Sequence, residues 1–366
     1  GERGDPELAV LAVDRPVAGA AARMTAPVPA QAAVPPVSIV VPVHNGARTI
    51  ASCIEAIGRQ DYRGERELIV VDNGSDDATP AIIDRFDFAR RIPCATRGPA
   101  AARNAGIAAA RHPVIAFTDA DCQPAPGWLS ALMARLEPSL AGVGGRLESA
   151  RRGPVEDVVA AISFDQRQAI ESGLPYVITA NCLFRRAALE AIGGFDEAFP
   201  IAGGEDTDLG WRLVESGARV AYADNALCLH DHPARLLDLL SQRIRYGYAM
   251  SLLWTKYRES TLGPALAAIL PNRADLCLSL LRPVPPGREG RRGLYASAEI
   301  AYVTGWWLGG GRAQSAPRGA ARPRRDRMTI AAMTPPVALA CAGTLAAMVL
   351  SGRYRRVFRR PANATP

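Results

Sequence analysis

The chain has 366 residues, 48% of them apolar, enough for one large domain with appendages and a sizeable core. Its formal charge of +7 is unevenly spread: residues 282–366 hold fifteen Arg against Glu289, Glu299 and Asp326, which leaves −5 on residues 1–281. A basic tail on a mildly acidic body fits an anionic membrane surface as partner, and with no recognition motif in the tail nucleic acid is not expected.

Residues 1–36 are rich in Ala, Pro and Gly without periodicity and read as a disordered leader, with Met24 a candidate start just before the ordered part. No charged-then-apolar leader is present. Seven Cys without a CxxC pair fit a reducing cytoplasm. Order begins at Val37, where VSIVVPV is a continuous apolar run of the kind a strand buried on both faces shows. Residues 49–57 place Ile50, Cys53, Ile54 and Ile57 at helical spacing. Residues 67–71 form a second apolar run, ending in Asp72-Asn73-Gly74-Ser75-Asp76-Asp77. Residues 79–86 then predict a helix with Pro80 in its first turn. A third helix over 100–110 and a third strand over 114–118 follow. Three strand–helix units in succession predict a parallel sheet with right-handed crossovers, and their loops bring Asn45, Asp72 and Asp119 to one crevice. The result is a Rossmann-like α/β body without GxGxxG, which counts against a dinucleotide cofactor.

The third strand stops at Asp119-Ala120-Asp121, and Pro124, Pro126 and Gly127 break regular structure beyond it. Alternate residues of an extended segment face one side, so the two carboxylates converge on one target. Held that close they repel unless a cation or donors lie between them, which fits a divalent metal carrying a phosphate-containing substrate. Further on, Gly203-Gly204-Glu205-Asp206-Thr207-Asp208 precedes a helix over 209–215, and an apolar strand over 226–229 ends at His230.

VSIVVPVHNGARTI, ELIVVDNGSDDAT, GPAAARNAGI and FTDADC, continuing through ITANCLFRRAALEAIGGFDE, GGEDTDLGWRL and LCLHDH, resemble in order and spacing an inverting family 2 glycosyltransferase of the GT-A fold. The resemblance covers roughly residues 37–250, taken as the catalytic domain. It implies a mostly parallel Rossmann-like sheet flanked by helices, with residues 251–366 as a helical, basic C-terminal extension. It also implies metal-dependent transfer of a sugar from a nucleotide-diphosphate donor to a hydroxyl acceptor. Pro42, Asn45 and Asp72 would hold the nucleoside, and Arg103 and Asn104 would contact the nucleotide. Asp121 would bind the metal directly, with Asp119 shared between ribose and metal. His230 would be the third ligand, with His232 as its alternative. Mixed carboxylate and imidazole ligation favours Mn²⁺ over Mg²⁺. Asp206 would be the general base, Glu205 its orienting partner or an acceptor contact, and Asp208 structural.

Gln242-Arg243-Ile244-Arg245-Tyr246 is similar to the QxxRW element of processive polysaccharide synthases, with Tyr246 in place of Trp. It makes Gln242, Arg245 and Tyr246 acceptor-site candidates and keeps a processive synthase as an alternative. A non-catalytic carbohydrate-binding relative is a second alternative, although Asp119, Asp121 and Asp206 are all present. The uncharged stretch 329–352, flanked by basic clusters at 318–327 and 353–360, and an aromatic, apolar helix over 294–308 place the protein in the cytoplasm at the inner face of the cell membrane. The acceptor expected there is a lipid-linked or cell-envelope glycan.

Overall fold

The computed structural model describes residues 34–163, 165–172, 175–264, 266 and 292–308. The leader up to residue 33 and the expected membrane segment at 329–352 with its basic flanks lie outside the described residues.

Eight strands form one sheet. In chain order they are β1 (Val37–Val43), β2 (Arg66–Asp72), β3 (Ala89–Pro93), β4 (Val114–Thr118), β5 (Cys122–Pro124), β6 (Gly142–Ser149), β7 (Asn181–Arg185) and β8 (Val220–His230). Their spatial order is β3-β2-β1-β4-β7-β6-β8-β5. The first half is parallel: β1 pairs with β2 and β4, and β2 with β3. The second half is mixed, because β7 runs antiparallel to both β4 and β6, while β8 is parallel to β6 and antiparallel to β5. The expectation of a parallel sheet therefore holds for the three strand–helix units that generated it and stops at β4. Right-handed crossover helices enforce parallel pairing only where they join neighbouring strands.

Strands β1, β2 and β4 are buried on both faces, as their unbroken apolar runs require. Ile39 and Val41 pack with Ile50, Ile54, Leu68 and Val70 on one side. Val40 packs with Ile69, Val71, Ala101 and Phe117 on the other. Helix α1 (Ile50–Gly58) covers the first face and α3 (Pro99–Ala109) the second. Between them, α2 (Thr79–Ile83) is three residues shorter than predicted. Gly106 brings α3 close to β1, since a Cβ there would lie 2.3 Å from Val40. Arg103, three residues earlier, lies on the same side of α3, buried, and reaches Asp119 just beyond β4.

Helices α4 (Trp128–Arg135), α5 (Pro154–Ser163), α6 (Gln166–Glu171) and α7 (Arg186–Ala191) complete the layers. Helix α8 (Glu205–Glu215) begins four residues before the predicted start, so Glu205, Asp206 and Asp208 lie in its first turn rather than in a preceding loop. Three acids at a helix N-terminus complement the exposed N–H groups of that turn. Helix α9 (Leu236–Tyr257) runs unbroken across residue 250, where the resemblance ends. Helix α10 (Arg292–Leu308) packs along α9, burying Ala298, Ala301, Val303, Thr304 and Trp306. The contact is backbone to backbone: a Cβ on Gly247 would lie 1.7 Å from the Tyr302 carbonyl oxygen, and one on Gly305 1.9 Å from that of Ile244. No helix among the described residues is long and apolar enough to cross a membrane.

Candidate active site

The acidic turn after β4 and the end of β8 are brought together by strand pairing. Cys122 pairs with His230, and the Asp231 N–H donates to the Asp121 carbonyl at 2.8 Å. That register sets His230 Nε2 3.5 Å from Asp121 Oδ1. Ligand atoms of Asp121, Cys122 and His230 all lie within 4.8 Å of one another, a donor set of carboxylate, thiol and imidazole able to hold a metal ion. Cys122 was not foreseen. It alternates with Asp121 along the strand, is fully buried and hydrogen-bonds with Cys228, and burial pushes its thiol well above the ordinary value. Carboxylate and imidazole are therefore the better ligands. His232 stacks on His230, ring centroids 4.6 Å apart, and burial with the neighbouring His230 depresses it to about 3. It stands outside that donor set, stacked against the His230 ring.

Asp119 lies beside this cluster rather than in it. Its Oδ1 accepts from Arg103 Nη2 at 2.8 Å, and Arg103 Nη1 donates to Glu205 Oε1, also at 2.8 Å. Arg103 is only 4% exposed. One guanidinium thus ties the turn after β4 to the first turn of α8. The two carboxylates outweigh its desolvation and raise its pKa.

Glu205 is buried and fully engaged, since its Oε2 also accepts from the Gly203 N–H at 2.7 Å. Asp206 differs. Its Oδ1 meets the Thr207 N–H at 2.8 Å, and its side chain lines a cavity of about 330 Å³ with Arg103, Asp119 and His230. Burial and the adjacent Glu205 charge push its carboxyl up to about 7. A carboxyl with that value, facing a cavity, suits proton abstraction near neutral pH. Asp208 is fully buried and receives Arg212 Nε, Lys256 Nζ and the Tyr257 hydroxyl, as its expected structural role requires.

Pro42, Asn45 and Asp72 sit together at the carboxyl ends of β1 and β2, but none lines that cavity. Asn45 has a left-handed φ of 54°. Its amide exchanges hydrogen bonds with Asp76, at 2.7 and 2.9 Å, tying the two loops together. Asp72 accepts from the Ser75 N–H at 3.0 Å. Asn104 grips the loop after α7, donating to the Phe195 carbonyl and accepting from its N–H. In this structure Asn45 and Asn104 act as braces. Of the acceptor candidates, Tyr246 lines the cavity whereas Gln242 and Arg245 do not. Arg243, Tyr176 and Tyr302 line it as well and were missed. Arg243 lay inside the recognised element but outside its motif positions. Tyr302 belongs to α10, which nothing in the sequence links to the site.

Two family models match the chain: Glycosyl transferase family 2 over residues 38–193 and Glycosyl transferase family group 2 over residues 139–311. A pre-mycofactocin glycosyltransferase of Mycobacterium tuberculosis is 34% identical over 283 residues, which are 74% of this chain and 56% of that protein. The chain therefore spans little more than half the length of that relative. Glycosyltransferase AglE of Haloferax volcanii is 31% identical over 238 residues, 62% of this chain and 76% of its own length. Among solved structures, the mannosyltransferase PcManGT from Pyrobaculum calidifontis, in complex with GDP-Man and Mn²⁺, is similar in fold. Its TM-score is 0.52 at 22% identity, covering 89% of this chain and 88% of that one. The fold is of the GT-A type, and the chain belongs to glycosyltransferase family 2.

Proposed function

We propose that this chain transfers a glycosyl group from a nucleotide-diphosphate sugar to a hydroxyl acceptor, in a single displacement that inverts the anomeric centre. The observation that carries the reading is the placement of Asp206. A carboxyl raised to about 7 shares one cavity with Arg103, Asp119 and His230. Asp206 takes the proton of the acceptor hydroxyl as its oxygen attacks from the face opposite the diphosphate. Glu205 keeps the Asp206 carboxyl basic through its charge and anchors the first turn of α8 through Arg103. Pro42, Asn45 and Asp72 form the nucleoside shelf at the ends of β1 and β2. Arg103 and Asp119 line the same cavity as the base.

Asp121 and His230, with Asp119 beside them, would hold a divalent cation, and their mixed oxygen and nitrogen donors favour Mn²⁺ over Mg²⁺. Such an ion supplies positive charge to the departing diphosphate. The PcManGT complex carries Mn²⁺ and GDP-Man, which supports this assignment by likeness of fold. The basic tail docks the protein on the inner face of the cell membrane, where lipid-linked or cell-envelope glycans are the acceptors.

Thermal-shift measurements with UDP-, GDP- and dTDP-sugars in the presence of Mn²⁺ test the donor. A matching nucleotide sugar at a hundred times its Kd stabilises the protein by about 2.7 kcal/mol. Stabilisation by none of them, in a folded protein, contradicts the reading.

A further inference from the structure

Two buried arginines line the cavity, and they are differently engaged. Arg103 is held by two carboxylates, Asp119 and Glu205. Arg243 on α9 is 7% exposed and has one, Glu299 of α10, whose Oε1 accepts from Nη2 at 3.1 Å. The Arg243 guanidinium lies 4.6 Å from the centre of the Tyr302 ring, which fixes its plane, and its buried Nε has no hydrogen-bond partner. The Nε of Arg103 is likewise buried without a partner, so what distinguishes Arg243 is that it has one carboxylate where Arg103 has two, which leaves its guanidinium in the cavity wall open to an acceptor atom arriving with a ligand. A planar guanidinium with a free edge matches a carboxylate or phosphate better than a hydroxyl. The cavity is of mixed polarity: Tyr176, Tyr246, Met250 and Leu253 line it together with Asp119, Glu205 and Asp206.

Resting on the glycosyltransferase reading above, we infer that Arg243, clamped by Tyr302 and Glu299, binds an oxyanion of the acceptor, so that the sugar accepted by this enzyme is an acidic one. The oxyanion is either a uronic carboxylate or a sugar phosphate. It gives Arg243 a second anionic partner, as Arg103 has in Glu205 and Asp119. Asp206, in the same cavity, then meets a hydroxyl of the sugar held this way. Helix α10 thereby becomes part of the acceptor site, and the tight crossing at Gly247 and Gly305 keeps Tyr302 and Glu299 in register with Arg243.

The test is binding to the full chain, with no donor present, of sodium glucuronate, glucose 1-phosphate and glucose, followed by saturation-transfer NMR. One or both acidic sugars are expected to bind at least about tenfold more tightly than glucose, the worth of a charge-assisted hydrogen bond. Which of the two binds separates carboxylate from phosphate. Arg243→Gln removes the preference. Glu299→Gln removes the competing carboxylate and strengthens acidic-sugar binding, whereas a purely structural role for the pair would weaken all binding in both variants. Equal binding of acidic and neutral sugars, binding of none, or a preference that survives in Arg243→Gln overturns the inference. Because no donor is used, these outcomes are independent of the nucleotide-sugar screen. Failure of that screen bears on the proposed function alone.

Discussion

Arg103 joins Asp119 to Glu205 with two hydrogen bonds of 2.8 Å each, linking the acidic turn after β4 to the helix that carries the proposed base. Removing one partner from a buried charge network leaves the others uncompensated, at a cost of about 3–5 kcal/mol. Arg103→Ala is therefore expected to lower stability by an amount in that range, read by urea denaturation. Arg103→Lys recovers only part of it, because a point charge cannot span both carboxylates.

Glu205 acts on its neighbour through charge. Burial and Glu205 together raise the Asp206 carboxyl to about 7, so transfer falls as pH drops through that value and Asp206 becomes protonated. Glu205→Gln removes one raising cause and moves the acid limb of the pH–rate profile to lower pH. An unmoved limb would separate Glu205 from the behaviour of Asp206.

The same shift has a consequence for stability. A carboxyl whose folded value lies above its unfolded one contributes stability at acidic pH, and that contribution is lost as pH rises through the folded value. Asp206→Asn should therefore raise the melting temperature at pH 8, with the gain shrinking toward pH 5. Melting scans of the two proteins across that window check the sign.

The α9–α10 crossing leaves no room for side chains at its two glycines. Gly247→Ala or Gly305→Ala drives a methyl into a backbone carbonyl and separates the helices, costing roughly 1–3 kcal/mol as overpacking. Denaturation midpoints report the loss. Acidic-sugar binding should fall with it, since Tyr302, whose ring fixes the plane of the Arg243 guanidinium, rides on α10.

The parallel half of the sheet was legible because each buried strand is an unbroken apolar run ending in polar turn residues. Asp72, Asp119 and Asp121 mark those ends directly. Strand β3 was not, since Ala-Arg-Arg-Ile-Pro at the sheet edge shows neither an apolar run nor clean alternation. Strand β7 was hidden for another reason: its antiparallel insertion beside β4 depends on long-range pairing that local patterning does not encode. His230 was legible as the residue ending an apolar strand, whereas nothing in the sequence marked Cys122. The brace roles of Asn45 and Asn104 depend on partners 31 and 91 residues away, Asp76 and Phe195, beyond any local signal. Tyr302 lay furthest from reach, because its place in the cavity follows from a helix crossing set by two glycines.

The basic tail gives a prediction independent of the fold. Clustered Arg near an anionic bilayer contributes about 1 kcal/mol each. The full chain is expected to float with phosphatidylglycerol vesicles at low salt, and a chain ending at about residue 315 to remain behind. Release of the full chain at high salt indicates surface docking, and retention indicates a span through residues 329–352. Absence from the vesicles at low salt would contradict the membrane placement.

The proposed division of labour gives Asp121 and His230 to the donor and Asp206 to the acceptor; His230 and Asp206 line one cavity, and Asp121 lies 3.5 Å from His230. Calorimetric titration of UDP and GDP, each with Mn²⁺, into the wild-type chain, Asp121→Ala and Asp206→Asn tests it most directly. Asp121→Ala should abolish Mn²⁺-dependent nucleotide binding, while Asp206→Asn keeps an affinity within about twofold of wild type and loses most transfer. Equal loss of nucleotide affinity in the two variants would contradict the account.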